Sequence, residues 1–77
     1  MPHVIVKMRD GRTEEMKARL AEQIAKDVVS VLGVAADAVS VSIQEVTAQD
    51  WPEKVYRPDI LNCPGKMYKE PGYNPFG

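Results

Sequence analysis

An α+β fold is what this sequence predicts: a βαβ unit with two parallel strands, then a short helix and an arm, dimerising to complete the sheet. Three observations predict it. Residues 2–8 and 39–46 alternate apolar and polar side chains with the period of a strand. Residues 14–32, between them, carry apolar side chains at i, i+4 spacing, the period of a helix facing a core. The chain has only 77 residues, and a unit this small has trouble burying enough apolar surface on its own.

In the first strand Val4, Val6 and Met8 face one way and His3, Ile5 and Lys7 the other. Ile5 makes the second face partly apolar, so the strand is expected to be covered on both sides. Asp10-Gly11 supplies a turn. Thr13 is placed to cap the helix, and Glu14 and Glu15 suit the positive end of its dipole. The helix stripe is Met16, Leu20, Ile24, Val28, Val31 and Leu32, widened by Ala21 and Ala25. Gly33 sits where a left-handed C-terminal cap belongs. At about 1.5 Å per residue the helix runs ~28 Å, enough to cross back over a sheet. Val39, Val41 and Ile43 then oppose Ser40, Ser42 and Gln44 in the second strand. A strand–helix–strand order makes the strands parallel with a right-handed crossover. It also leaves sheet edges and one face needing a partner.

Residues 47–77 differ in character. They hold five of the six prolines and every aromatic residue. Asp50 is placed to cap a short helix with Trp51 and Pro52 in its first turn, ending before Arg57-Pro58. Cys63-Pro64-Gly65 and Glu70-Pro71-Gly72 read as turns around a short strand at 66–69. Trp51, Tyr56, Ile60, Leu61, Tyr68, Tyr73 and Phe76 are too apolar for a disordered tail, so an ordered arm wrapped on another subunit is expected. The expected organisation is a single domain, 1–77, with a βαβ core at 2–46 and the arm at 47–77.

Composition excludes several classes of function. The formal net charge is −1, with both signs interspersed, which favours neither nucleic acid nor an anionic membrane. No apolar run is long enough to span a bilayer, and the N-terminus lacks the regions of a signal peptide. One cysteine allows no internal disulfide, and with one distant histidine it argues against a metal site within one chain. The lone thiol fits a cytoplasmic protein.

One feature asks for a chemical reading. The chain opens MPHVIVKM. Proline at a strand's first position is tolerated because it has no N–H to donate. Removal of Met1, usual before a small second residue, would instead give Pro2 a free secondary amine, a base or nucleophile. Pro2 heading a strand, GRTEEMK leading into a long helix, the VSVSIQEV strand and the DW that follows together resemble the 4-oxalocrotonate tautomerase family. The resemblance runs from Pro2 to about Trp51, and DWPEKVY and KEPGY resemble a branch with a longer C-terminal arm.

That resemblance implies a cofactor-free isomerase that moves a proton between enol and keto forms of 2-oxo acids. It implies Pro2 as the catalytic general base, Arg12 as the ligand of a substrate carboxylate, and Trp51 as an apolar wall of the pocket. Burial and a nearby guanidinium both disfavour the ammonium form of Pro2 and bring its titration toward working pH. A bidentate arginine fork suits a 2-oxo acid. The family's second-strand arginine, which binds the far carboxylate of a dicarboxylate, falls on Ser40 here. Serine cannot make that bidentate pair, so a monoacid with an apolar body, such as phenylenolpyruvate, suits the site better than 2-hydroxymuconate. Arg57 or Lys54 from the arm is the candidate replacement charge. His3 and Tyr56 read as structural, and Cys63 as an ordinary thiol. The expected assembly is a homodimer rather than a hexamer, with each site built mostly by one chain and closed by its neighbour. Two other readings stay open: a dehalogenase or hydratase of unsaturated acids, for which Glu45 and Glu53 are the available carboxylates, and a non-catalytic dimeric binding module.

Overall fold

The computed structural model describes residues 1–77 and contains strand β1 (His3–Arg9), helix α1 (Glu14–Leu32), a 3₁₀ turn at Ala36–Ala38, strand β2 (Ser40–Val46) and a π-helix at Pro52–Leu61. The chain forms two compact units, Met1–Glu45 and Val46–Gly77.

In the first unit β1 and β2 pair as a two-stranded parallel sheet. The Ser40 N–H donates to the Pro2 carbonyl at 3.2 Å, which brings the two strand starts together. Pro2 therefore takes part through its acceptor while lying just outside the strand. Val39 also lies outside, because its N–H closes the 3₁₀ turn on Ala36 O at 3.1 Å. Both ends of α1 are capped as expected. Thr13 Oγ1 accepts from Met16 N–H at 3.1 Å, and Gly33, at φ 69°, donates to Val29 O, a left-handed conformation that glycine adopts without penalty. No helix is long and apolar enough to cross a membrane.

No side chain of this first unit is fully buried. Val4, Val6, Met8, Ile24, Val28, Val41 and Ile43 are only half-buried. Ile5 is 51% exposed, as is Met16, while Val31 is 80% exposed. The expectation that β1 is covered on both faces is thus not met within one chain. The His3, Ile5, Lys7 face of β1 leaves Ile5 open, because a two-strand, one-helix unit has only one helix to lay on its sheet.

The second unit holds the chain's only buried hydrophobic residues, Val55 at 4% and Tyr56 at 7% exposure. Tyr56 anchors the arm: its hydroxyl donates to Tyr73 O at 3.1 Å, and its ring meets Tyr73 and Phe76 with centroids 5.4 and 5.8 Å away. The short helix departs from expectation in two ways. Its lead-in turn is capped by Thr47, whose Oγ1 accepts from Asp50 N–H at 3.2 Å. Asp50 instead pairs with Lys54 at 3.3 Å. The helix also runs through Pro58 to Leu61. In an α-helix the proline ring would strike the carbonyl four residues back; the wider π geometry, seen in the Asn62 N–H to Arg57 O bond, relieves that clash. Residues 66–69 form no strand: 66 and 67 are irregular and 68 and 69 make a bend.

The packing of Tyr56 is separable from its hydrogen bond. Tyr56→Ala is expected to destabilise the protein by about 3 kcal/mol or more through the cavity it leaves, and Tyr56→Phe by about 1 kcal/mol through the lost hydroxyl bond. Urea denaturation of the three proteins checks both.

Candidate active site

Two clusters of chemistry-bearing residues stand at the two ends of β1. At the first end, Pro2 is half-buried and held by its carbonyl to Ser40 N–H. Beside it His3 Nδ1 is hydrogen-bonded to Ser40 Oγ at 2.6 Å. Ser40 is thus engaged by both its backbone and its hydroxyl.

At the other end the chain turns from β1 into α1 through Gly11, whose φ of 111° is a conformation side-chain-bearing residues rarely adopt. Arg12 follows, exposed. It rims a hollow of about 210 Å³ shared with Met8, Met16, Lys17 and Leu20. The two cations there differ. Lys17 Nζ pairs with Glu14 Oε1 at 2.7 Å and Glu45 Oε1 at 2.8 Å, and its side chain is only 15% exposed. Those hydrogen bonds to Glu14 and Glu45 hold the Lys17 ammonium above its ordinary range. The Lys17 hydrogen bond, with the charge of the ammonium, holds the Glu45 carboxyl below its own. Arg12 makes no ion pair, so its charge is the uncompensated one over an apolar floor.

Glu45 was not foreseen as part of this cluster. Its signal lay in the strand pattern: it continues the row Val39, Val41, Ile43, where another apolar residue belongs. A carboxylate in a helix-facing row needs a partner, and Lys17 is that partner.

The pH dependence follows. Glu45 ionises more readily in the folded chain, so its contribution to stability is present above its unfolded pKa and disappears as pH falls through the lower folded value. Lys17 acts oppositely: its contribution is present below the ordinary lysine value and disappears as pH rises through the raised one. The stability difference between the wild type and Glu45→Gln should therefore be largest near neutrality and close on acidification. Denaturation midpoints across pH check this.

Pro2 and Arg12 are not neighbours. The seven residues of β1, at about 3.3 Å each, set them roughly 20 Å apart. That length exceeds the span of a small 2-oxo acid. Trp51 and Arg57 belong to the second unit. Trp51 Nε1 donates to Tyr73 Oη at 2.8 Å. Arg57 is held bidentately by Glu53, at 2.9 and 3.1 Å, and its guanidinium lies 4.4 Å from the centre of the Phe76 ring. The Glu53 bonds hold the Arg57 guanidinium above its ordinary range and the Glu53 carboxyl below its own. Arg57 must leave Glu53 before it can meet a substrate carboxylate.

The family model described as "Tautomerase enzyme" matches residues 2–52. A probable tautomerase of Xylella fastidiosa (strain 9a5c) is 44% identical over 73 residues, covering 95% of this chain and 89% of that protein. The crystal structure of YwhB, a homologue of 4-oxalocrotonate tautomerase, is 37% identical with a TM-score of 0.58, over 60% of this chain and 75% of that one. A heterohexamer 4-oxalocrotonate tautomerase from Chloroflexus aurantiacus J-10-fl is 30% identical with a TM-score of 0.65, over 70% of this chain and 87% of that one. The chain belongs to the tautomerase family, and its βαβ unit has the fold of these 4-oxalocrotonate tautomerase neighbours.

Proposed function

We propose that this protein is a cofactor-independent tautomerase that interconverts enol and keto forms of a 2-oxo monoacid, with Pro2 as general base once Met1 is removed. The observation that carries the substrate class is Arg12: an uncompensated guanidinium at the rim of a hollow floored by Met8, Met16 and Leu20. A carboxylate on an apolar body, as in phenylenolpyruvate, matches that pairing of charge and oil. The proposed chemistry is a proton shuttle. The Pro2 amine takes the enol hydroxyl proton, and carbon C3 of the substrate receives a proton as the ketone forms. Arg12 holds the carboxylate throughout and favours the negative charge that develops on the oxygen.

The separation of Pro2 from Arg12 makes a homo-oligomer part of the proposal: the Arg12 turn of one copy serves the Pro2 of another. A dimer is the smallest assembly that does this. Trp51 as an apolar wall and Arg57 as a second carboxylate ligand remain proposals drawn from the family resemblance. The hydratase or dehalogenase reading is disfavoured because it needs a carboxylate free to activate water. Glu45 is paired with Lys17 and Glu53 with Arg57.

The test is the rate of phenylenolpyruvate ketonisation against pH, on protein whose intact mass shows Met1 removed. A rate well above buffer, rising through a single pKa near or below 7, is expected. A rate equal to buffer would sink the proposal and leave the binding module.

A further inference from the structure

Trp51 is half-buried just ahead of the arm's helix, and its backbone N–H donates to Thr47 O at 3.0 Å. That bond fixes the backbone and leaves the indole a choice of rotamers. What holds the indole lies 22 residues further on: Trp51 Nε1 donates to Tyr73 Oη at 2.8 Å. A hydrogen bond orients one group only when its partner is itself fixed, and Tyr73 is. Its carbonyl accepts from the Tyr56 hydroxyl at 3.1 Å, and its ring lies 5.4 Å from the ring of the buried Tyr56. Just beyond it, Asn74 Oδ1 accepts from Phe76 N–H at 2.9 Å, and the Phe76 ring packs 5.8 Å from Tyr56. With its one polar atom engaged, the indole offers an apolar ring to whatever it faces. We propose that Tyr73 is a positioning residue: its hydroxyl holds the Trp51 indole in the orientation that walls the apolar end of the substrate. This rests on the reading of Trp51 as that wall.

Tyr73→Phe removes the one oxygen in question. It keeps the ring that meets Tyr56 and the backbone carbonyl that accepts from the Tyr56 hydroxyl, so the packing of the arm is retained. Trp51 is the chain's one tryptophan, so a single indole N–H resonance reports on the bond directly. The measurements are solvent exchange of that N–H and steady-state ketonisation of two substrates, on full chains with Met1 removed. One substrate is phenylenolpyruvate; the other is the enol of pyruvate, which has the same carboxylate and no phenyl ring. Tyr73→Phe is expected to speed indole N–H exchange by roughly 3- to 10-fold, the scale of one lost hydrogen bond. It is expected to raise KM for phenylenolpyruvate by roughly 3- to 10-fold while kcat changes by less than about 2-fold, the pattern of lost substrate binding. KM for the enol of pyruvate should stay within about 2-fold, since that substrate has no apolar body to wall. In Trp51→Phe, which has no N–H to donate, adding Tyr73→Phe should cost nothing further in kcat/KM.

Unchanged indole exchange in Tyr73→Phe overturns the proposal, whatever the kinetics. Faster exchange with an unchanged KM for phenylenolpyruvate also overturns it, because the bond would exist without orienting a wall. An equal rise in KM for both substrates overturns it too, as the mark of a general disturbance of the arm. Additive losses in the double variant place the effect elsewhere and count against it in the same way. Trp51→Ala tests the underlying reading by itself. If it leaves KM for phenylenolpyruvate unchanged, Trp51 is no wall and the proposal falls with that reading. If Trp51→Ala raises that KM and Tyr73→Phe does not, the wall stands and the proposal alone is wrong.

Discussion

Retention of Met1 is expected to abolish ketonisation, and Pro2→Ala to lower kcat/KM by about 10²-fold or more, the scale of a lost general base. With Met1 in place the Pro2 nitrogen is a tertiary amide whose lone pair is delocalised into the carbonyl, so it has nothing to offer a proton. The Met1 side chain is fully exposed, so its retention changes the chemistry of that nitrogen while disturbing little packing. Pro2→Ala is the milder change, because alanine keeps a primary amine after trimming. Its informative readout is the position of the pH profile. A primary α-amino group is less basic than proline's secondary amine, so the rising limb should move to lower pH. A substitution that merely loosened the strand would scale the profile without moving it. Equal activity with and without Met1 would remove Pro2 from the mechanism and leave the family fold without the proposed chemistry.

What the sequence revealed and what it hid divide along a physical line. Thr13, Gly33 and the alternation of Val4, Val6 and Met8 are local signals, set by hydrogen bonds and side-chain periods within a few residues, and the structure repeats them. The turn into the second unit is local too, yet Asp50 was the wrong cap. Thr47 and Asp50 both have capping side chains, and only the register of the helix chooses between them. Pro58 read as a stop because that rule assumes α geometry; a π-helix relaxes it, and no spacing in PEKVYRPDIL announces the wider turn. The Lys17–Glu45 pair lies 28 residues apart in sequence, beyond any local pattern, although the odd carboxylate in the apolar row of β2 marked it. For the candidate site, Pro2 and Arg12 stand out in the sequence as residue types, but the sequence reading set the guanidinium near Pro2, and the length of β1 that separates them was not weighed.

That separation makes a sharp prediction for mixed oligomers. Arg12→Ala is expected to lower kcat/KM by about 10- to 100-fold, the range for losing a charge-assisted bond to a carboxylate. Pro2→Ala and Arg12→Ala proteins, each poorly active alone, should regain activity when unfolded together and refolded as an equal mixture. In the proposed assembly each site takes Pro2 from one copy and Arg12 from another. A site is whole when the first copy is an Arg12→Ala chain and the second a Pro2→Ala chain. Random assembly therefore makes about a quarter of the sites intact, whatever the size of a symmetric assembly. Activity near a quarter of the wild type, measured at matched subunit concentration, would support a shared site. If the mixture shows no more than the average of its two components, Pro2 and Arg12 do not meet across copies. With some 20 Å of β1 between them in one chain, they would then not serve one small substrate at all.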